Sequence, residues 1–377
     1  MVIMALDHTR DFFHDSGSMM SDPMDPATTN VFLYFTRWIT HFCAPVFVFL
    51  SGISAYLASK SKPANLAGNF LIKRGIWLLF VEVILITFGL TFNPFFNFII
   101  LQVIWSIGWS MILLGILSKV SNRLVTVVGI LLFFGHNILD YISLPTFSSL
   151  SGQLISILFT TSTKVIPIGS EHYLGTFYSI LPWTGAMFIG FSIGRWFDGD
   201  FDAKKRKQYL LYSGLGLFLS FLLLRYFNLY GNPTPRAIHP EMLKNGFDFF
   251  NVSKYPPSLQ YYGMTLGPAL MLLAGIENLE NGFSRIMMVY GKVPFFYYVL
   301  HFYLIHIILV VFFFATGYST DQIVTPQSPF LFRPNDFGYK LPIVYSIWLG
   351  VVALLYRPCI WFQNHKATHL QWWLKYL

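Results

Sequence analysis

Charge is what this sequence has least of. Only 11% of its 377 residues are Asp, Glu, Lys or Arg, against roughly a quarter in a soluble domain, which excludes an ordinary water-soluble fold. Cysteine is almost missing: Cys43 and Cys359 both stand inside apolar runs, so neither a disulfide framework nor a Cys-type zinc site is available, and no metal is expected. No Walker-type loop, GxGxxG fingerprint or GxSxG elbow occurs in a suitable setting. Neither a 20–50-residue repeat nor a large soluble domain is visible. No charged n-region precedes the apolar start, so a cleavable leader is not expected.

Apolar and aromatic residues are abundant. Hydrophobic residues make up 55% of the chain, with forty Phe, twenty-one Tyr and ten Trp. That is more aromatic surface than one globular core buries, whereas a bilayer and its interfaces solvate it. With about 20 apolar residues needed per crossing, nine complete helices are expected near 31–58, 70–92, 97–118, 123–143, 177–196, 208–229, 258–279, 287–316 and 341–360. Residues 1–6 are apolar too, but meet Asp7, His8, Arg10 and Asp11 too soon to cross hydrocarbon. They are expected to be the outer end of a helix whose first half is missing, with a short re-entrant or interfacial segment as the other reading. The fold class is therefore an all-α bundle of about ten transmembrane helices, the first one partial. One transmembrane domain over 1–377 is expected, with its core motifs in 1–196 and 197–377 completing the bundle.

The net charge of +8 does not call for nucleic acid, because the basic residues sit between the hydrophobic runs. Sixteen fall in alternate connections: Lys60, Lys62, Lys73, Arg74, Lys119, Arg123, Arg195, Lys204, Lys205, Arg206, Lys207, Arg285, Lys292, Arg357, Lys366 and Lys375. The opposite connections, mostly longer, carry six: Lys164, Arg236, Lys244, Lys254, Arg333 and Lys340. By the positive-inside rule the basic side and the C-terminus are cytoplasmic. Lys73 and Arg74, and the run Lys204, Lys205, Arg206 and Lys207, suit the phosphates of a nucleotide-bearing donor, although topology and anionic lipid account for such clusters equally.

Ionisable groups at membrane depth are expensive and point to function. They are Asp7, His8, Arg10, Asp11 and His14, then Arg37 and His41, Glu82, His136 and Asp140, Arg225, and His301 and His306. Counting 1.5 Å per residue from the expected ends, most converge on the outward-facing half of the membrane. Asp7, Asp11 and His14 share a helix face, and His8 is i, i+3 from Asp11. An imidazole beside a carboxylate has a set tautomer and raised basicity, as general-base catalysis of acyl transfer requires. The other reading is an ion-pair cluster of Asp7 or Asp11 with Arg10 or Arg37 that packs the helix. Arg37 and His41 are i, i+4 on one face, and Arg37 is placed to stabilise an oxyanion. Pro45 cannot donate to the His41 carbonyl, so a kink that leaves this acceptor free beside the imidazole is expected there. Ser51, Gly52, Ser54 and Ala55 then suit close approach of a neighbouring helix or an extended ligand. His301 and His306 lie about 140° apart around their helix and cannot chelate one ion together.

Two motifs carry a family likeness: Met4-Ala5-Leu6-Asp7-His8-Thr9-Arg10-Asp11-Phe12-Phe13-His14, and Thr36-Arg37-Trp38-Ile39-Thr40-His41-Phe42-Cys43-Ala44-Pro45-Val46-Phe47-Val48-Phe49-Leu50-Ser51-Gly52. With Pro182-Trp183-Thr184-Gly185-Ala186-Met187, Tyr255-Pro256-Pro257-Ser258-Leu259 and residues 297–306, they resemble bacterial members of the heparan-α-glucosaminide N-acetyltransferase-like family of membrane acyltransferases. The resemblance implies transfer of an acetyl group from cytosolic acetyl-CoA to an amino sugar or sugar on the far side of the membrane, through a histidine acting as base or acetylated intermediate. It implies His8 as that histidine, oriented by Asp7 or Asp11, with His14 and His41 as the other candidates, and a bacterial cytoplasmic membrane as the location. The Arg-Gly pair that the family carries early in its first helix is absent. The partners expected are the bilayer, acyl-CoA, an extracytoplasmic glycan or amino-sugar acceptor and a second copy of the chain, with no nucleic acid.

Two other readings use the same polar residues. A transporter or flippase would thread substrate and protons along them, though no inverted repeat or paired broken helices support it. A membrane electron carrier would take a bis-His haem from His41, His136, His301 and His306.

Overall fold

A computed structural model describes residues 1–15, 22–160, 164–324, 329–369, 371 and 374. Lys375, one of the basic residues assigned to the cytoplasmic side, lies outside them. In chain order the helices are α1 Val2–Phe13, α2 Val31–Thr40, α3 Cys43–Ser59, α4 Ala64–Val81, α5 Thr87–Thr91, α6 Val103–Val120, α7 Asn122–Gly135, α8 Leu150–Ile155, α9 Ile180–Ile193, α10 Ala203–Tyr226, α11 Met242–Phe250, α12 Leu259–Ile276, α13 Gly282–Lys292, α14 Pro294–Ala315 and α15 Leu341–Thr368. Strands β1 Phe98–Leu101, β2 Lys164–Ile168 and β3 His172–Thr176 form a sheet in the order β1-β3-β2.

Among the described residues, six helices are long and apolar enough to cross a bilayer: Val31–Ser59, which joins α2 and α3, then Val103–Val120, Asn122–Tyr141, Ala203–Tyr226, Pro294–Ala315 and Leu341–Thr368. The segments expected at 70–92, 177–196 and 258–279 are helical in a different way. A π-turn at Glu82–Ile86 separates α4 from α5. Helix α9 has 14 residues, about 21 Å at 1.5 Å per residue. Helix α12 carries Gln260, Tyr261 and Tyr262 directly after its first residue, Leu259. Two expected boundaries are corrected. The run expected from 97 opens as β1, and its helix starts at Val103. The run expected over 287–316 divides at Val293, because Pro294 opens α14 at its first turn, where a missing N–H costs nothing. The sheet is a departure from an all-helical fold. β2 and β3 pair antiparallel from Lys164↔Thr176 to Ile168↔His172, and Gly169 supplies the positive φ that their tight connection uses.

Local chemistry sets several helix starts. Asn30 caps α2 by accepting from Leu33 N (3.0 Å), Asp202 caps α10 from Lys205 N (2.7 Å), and Ser258 caps α12 from Tyr261 N (3.0 Å). Where a kink is expected at Pro45, the helix is interrupted: α2 stops at Thr40, His41 and Phe42 form a turn, and α3 starts at Cys43.

The chain forms two compact units. The first comprises Met1–Cys43, Val83–Phe98 and Leu279–Leu377. In it α1 packs on α14 and α15, α2 on α1, α5 on α14, and α13 on α15. Trp348 Nε1 donates to Val2 O (2.8 Å), and Thr36 Oγ1 bonds Tyr345 OH (2.6 Å). Arg333 closes the end of α1 by donating to Phe12 O and His14 O, both at 3.0 Å. These carbonyls belong to the last turn and its edge, which have no partner within the helix.

The second unit comprises Ala44–Glu82 and Ile99–Asn278. Its helices touch through glycines, as small residues permit in a bilayer. Helix α4 meets α6 at Gly68 and Gly75 against Gly115 and Gly108, and α10 meets α12 at Gly214 and Gly267. Gly52 on α3 and Gly190 on α9 let those two backbones approach, as the small residues after Pro45 suggested. A Cβ on Gly52 would lie 2.7 Å from Phe191 N and closer still to Met187 O. Backbone atoms cannot swing aside, so Gly52→Ala is expected to destabilise the protein by about 1–3 kcal/mol. Thermal unfolding in detergent checks this, with Gly216→Ala, where the new methyl meets open space, expected to be neutral or slightly stabilising.

Candidate functional site

The N-terminal motif forms the site candidate. Helix α1 is one-sided in its chemistry: Asp7 and Arg10 are buried, while Asp11 is half-exposed. The Asp7 carboxylate accepts from Arg37 Nη1 at 2.7 and 2.9 Å and from Thr40 Oγ1 at 2.8 Å. Arg10 Nη2 reaches Asp7 at 3.0 Å and donates to Asp11 at 2.5 Å. Asp7 is thus occupied by two guanidinium groups and a hydroxyl, so its geometry fits the ion-pair reading of this cluster. Asp11 is the carboxylate beside His8, with Oδ2 3.9 Å from Nδ1.

His8 is 15% exposed at its side chain and packs on α14. Its ring centroid lies 4.4 Å from Phe302 and 5.2 Å from His301. His14 follows the end of α1, with Nδ1 3.3 Å from Asp15 and its carbonyl held by Arg333. His41 is buried at the turn after α2, next to the Thr40 hydroxyl that reaches Asp7. Asp7, His8, Asp11 and Arg37 are therefore brought together within the first unit, and Arg10, Thr40 and His301 join them. Sequence reasoning had no means of pairing His301 with His8. The two are far apart in the chain, and a lone His in an apolar run says nothing of which helix it faces.

Other intramembrane candidates serve as fasteners. His306 lies with Nδ1 3.3 Å from Gly89 O and Nε2 3.0 Å from Leu331 O, its ring stacked 3.8 Å from Phe92. His136 stands between Leu132 O and Pro257 O, both at 2.7 Å. Asn137 donates to Asp140 at 2.8 Å and accepts from Leu259 N at 2.9 Å. Arg225 is buried and donates to the carbonyls of Thr234, Asp248, Phe249 and Asn251 at 2.6–3.1 Å, which closes the loop around α11. Glu82 is fully buried at the π-turn and accepts from Gln102 N.

Lys73 and Arg74, the candidates for donor phosphates, lie on α4 of the second unit. Lys73 is exposed, whereas Arg74 is half-buried with Nε lacking a hydrogen-bond partner among the described residues. Between α9 and α10 of that unit, Asp198 accepts from Lys60 Nζ (2.6 Å) and Tyr56 OH (3.0 Å). The Lys60 hydrogen bond is the main reason its carboxyl is held below the usual carboxylate range.

The family model described as heparan-alpha-glucosaminide N-acetyltransferase, catalytic, matches residues 19–222. The chain belongs to this family. The matched stretch includes Arg37, His41, Lys73, Arg74 and the Pro182-Trp183-Thr184-Gly185-Ala186-Met187 run, while Asp7, His8, Asp11 and His14 precede it. No curated protein and no solved structure matches the chain. Family membership and the six apolar helices make it an integral, multi-pass membrane protein carrying an acetyltransferase catalytic domain.

Proposed function

We propose that the protein transfers an acetyl group from cytosolic acetyl-CoA to an amino sugar or sugar on the extracytoplasmic side of a bacterial cytoplasmic membrane, and that the whole chain acts as one domain of ten helices with a cytoplasmic C-terminus. The observation that carries this reading is the catalytic-domain match over 19–222 together with a histidine that has a carboxylate at 3.9 Å on the same helix. In the proposed reaction His8 takes a proton from the acceptor amine or hydroxyl, and the freed lone pair attacks the thioester carbonyl. The C–S bond breaks, and the imidazolium returns the proton to the leaving thiolate. Asp11 orients His8, Asp7 holds Arg37 near the developing oxyanion, and Lys73 and Arg74 attract the phosphates of the donor.

Membranes containing the protein, given radiolabelled acetyl-CoA and a panel of amino-sugar and neutral-sugar acceptors, are expected to pass label to an acceptor or to the protein itself. Absence of label from every acceptor and from the protein would overturn the reading. Movement of an unmodified sugar across the membrane would favour the transporter.

A further inference from the structure

His301 is fully buried on α14, and its contacts determine where its proton lies. Nδ1 is 2.5 Å from Tyr298 O and 3.3 Å from Tyr297 O. Carbonyl oxygens only accept, so Nδ1 carries the hydrogen. Nε2 is buried and has no hydrogen-bond partner among the described residues. A hydrogen there would be a buried donor without an acceptor, so Nε2 holds a lone pair. Buried polar atoms are normally satisfied, and one that is not requires a reason. His8 is one of the rings packed against His301, 5.2 Å between centroids and tilted by 47°. Phe302 packs against both rings, 4.4 Å from His8 and 4.2 Å from His301, and keeps the surroundings apolar.

We propose that His301 is a positioning residue for His8: a neutral imidazole whose single free lone pair stabilises His8 when that ring becomes cationic. This rests on the acetyltransferase reading, in which His8 gains the acceptor's proton and later passes it to the thiolate. His301 keeps its own proton throughout and neither gives nor takes one. A neutral acceptor suits this place better than a second carboxylate, which would hold His8 permanently charged and unable to act as a base. Among the described residues, the other ionisable groups near the pair include Asp7, Arg10 and Asp11 on α1, Arg37 on α2, and Tyr297 and Tyr298 on α14. Asp7 is committed to Arg37, Arg10 and Thr40, and Asp11 is shared with Arg10. Of the imidazole and carboxylate acceptors named here, His301 Nε2 is the one without a hydrogen-bond partner among the described residues.

The test follows the carbethoxylation of His8 by diethyl pyrocarbonate as a function of pH, with the modified peptide quantified by mass spectrometry. The reagent attacks only neutral imidazole, so the midpoint reports the proton affinity of His8. In His301→Phe, which keeps the ring and removes the acceptor, the midpoint is expected to fall by about one pH unit, roughly a tenfold loss of proton affinity. His301→Asn restores an acceptor and is expected to recover part of the shift. An unchanged midpoint in His301→Phe overturns the proposal. If both variants fail to fold, the ¹⁵N shifts of His301 in the wild-type protein decide: protonation on Nδ1 supports it, and protonation on Nε2 overturns it. A shifted midpoint in a protein that acetylates no acceptor keeps the pair and rejects the acetyltransferase reading. Acetyl transfer with an unshifted midpoint does the reverse.

Discussion

His8→Ala is expected to reduce acetyl transfer by a factor of about 10²–10⁴, the range that a positioned general base contributes. The variant should still insert and elute as a single species, because contacts that tie α1 to α2 remain in it. Those run through Asp7, Arg37 and Thr40. What His8 contributes is a ring held between Asp11 at 3.9 Å and His301 and Phe302 on α14. Single-turnover transfer from labelled acetyl-CoA in detergent or nanodiscs, with retention volume as the folding control, is the appropriate measurement. Wild-type rates in a folded His8→Ala protein would end the assignment and direct attention to His41, which lies within the family match, and then to His14.

Asp7→Ala should be the most destabilising single change at the site. It would strip the buried guanidinium of Arg10 and that of Arg37 of the carboxylate they share. Removing one partner of a buried pair costs about 3–5 kcal/mol, because the remaining charge is left without compensation. Thermal unfolding should show a large drop, and loss of activity should follow from loss of folded protein. Combining it with Arg37→Leu should recover part of the stability, since one of the two guanidinium groups that faced the lost carboxylate is then also gone, and a double-mutant cycle would measure that coupling. If Asp7→Ala melts like the wild type but transfers no acetyl group, Asp7 works in the chemistry and its anchoring role is wrong.

The two changes separate roles that one-dimensional spacing does not. Asp7 and Asp11 are both carboxylates of the motif that holds His8, and helix spacing alone favours Asp11, at i, i+3 from it. What spacing does not show is that Arg37 and Thr40, on another helix, claim Asp7 and leave Asp11 to His8 and Arg10. Likewise, His301 and His306 look equivalent in the sequence. Both His306 ring nitrogens face carbonyls, of Gly89 and Leu331, and a neutral ring donates to one of them, while His301 Nε2 has no hydrogen-bond partner among the described residues.

By itself the sequence determined whatever depends on local composition and covalent geometry. Low charge and long apolar runs meant a membrane protein, because hydrocarbon tolerates little else. Pro45 determined the break after Thr40, because a proline nitrogen cannot donate to the carbonyl one turn back. Gly52 marked a close helix contact, and the family could be read from its motifs. Tertiary structure alone decided the start of α6 after a short strand, the division at Val293, the anchoring of α1 by Arg333, and which histidine His8 meets. Those outcomes depend on which distant groups satisfy a buried backbone or a buried charge. A hydrogen bond between residues hundreds of positions apart leaves no periodicity in the chain.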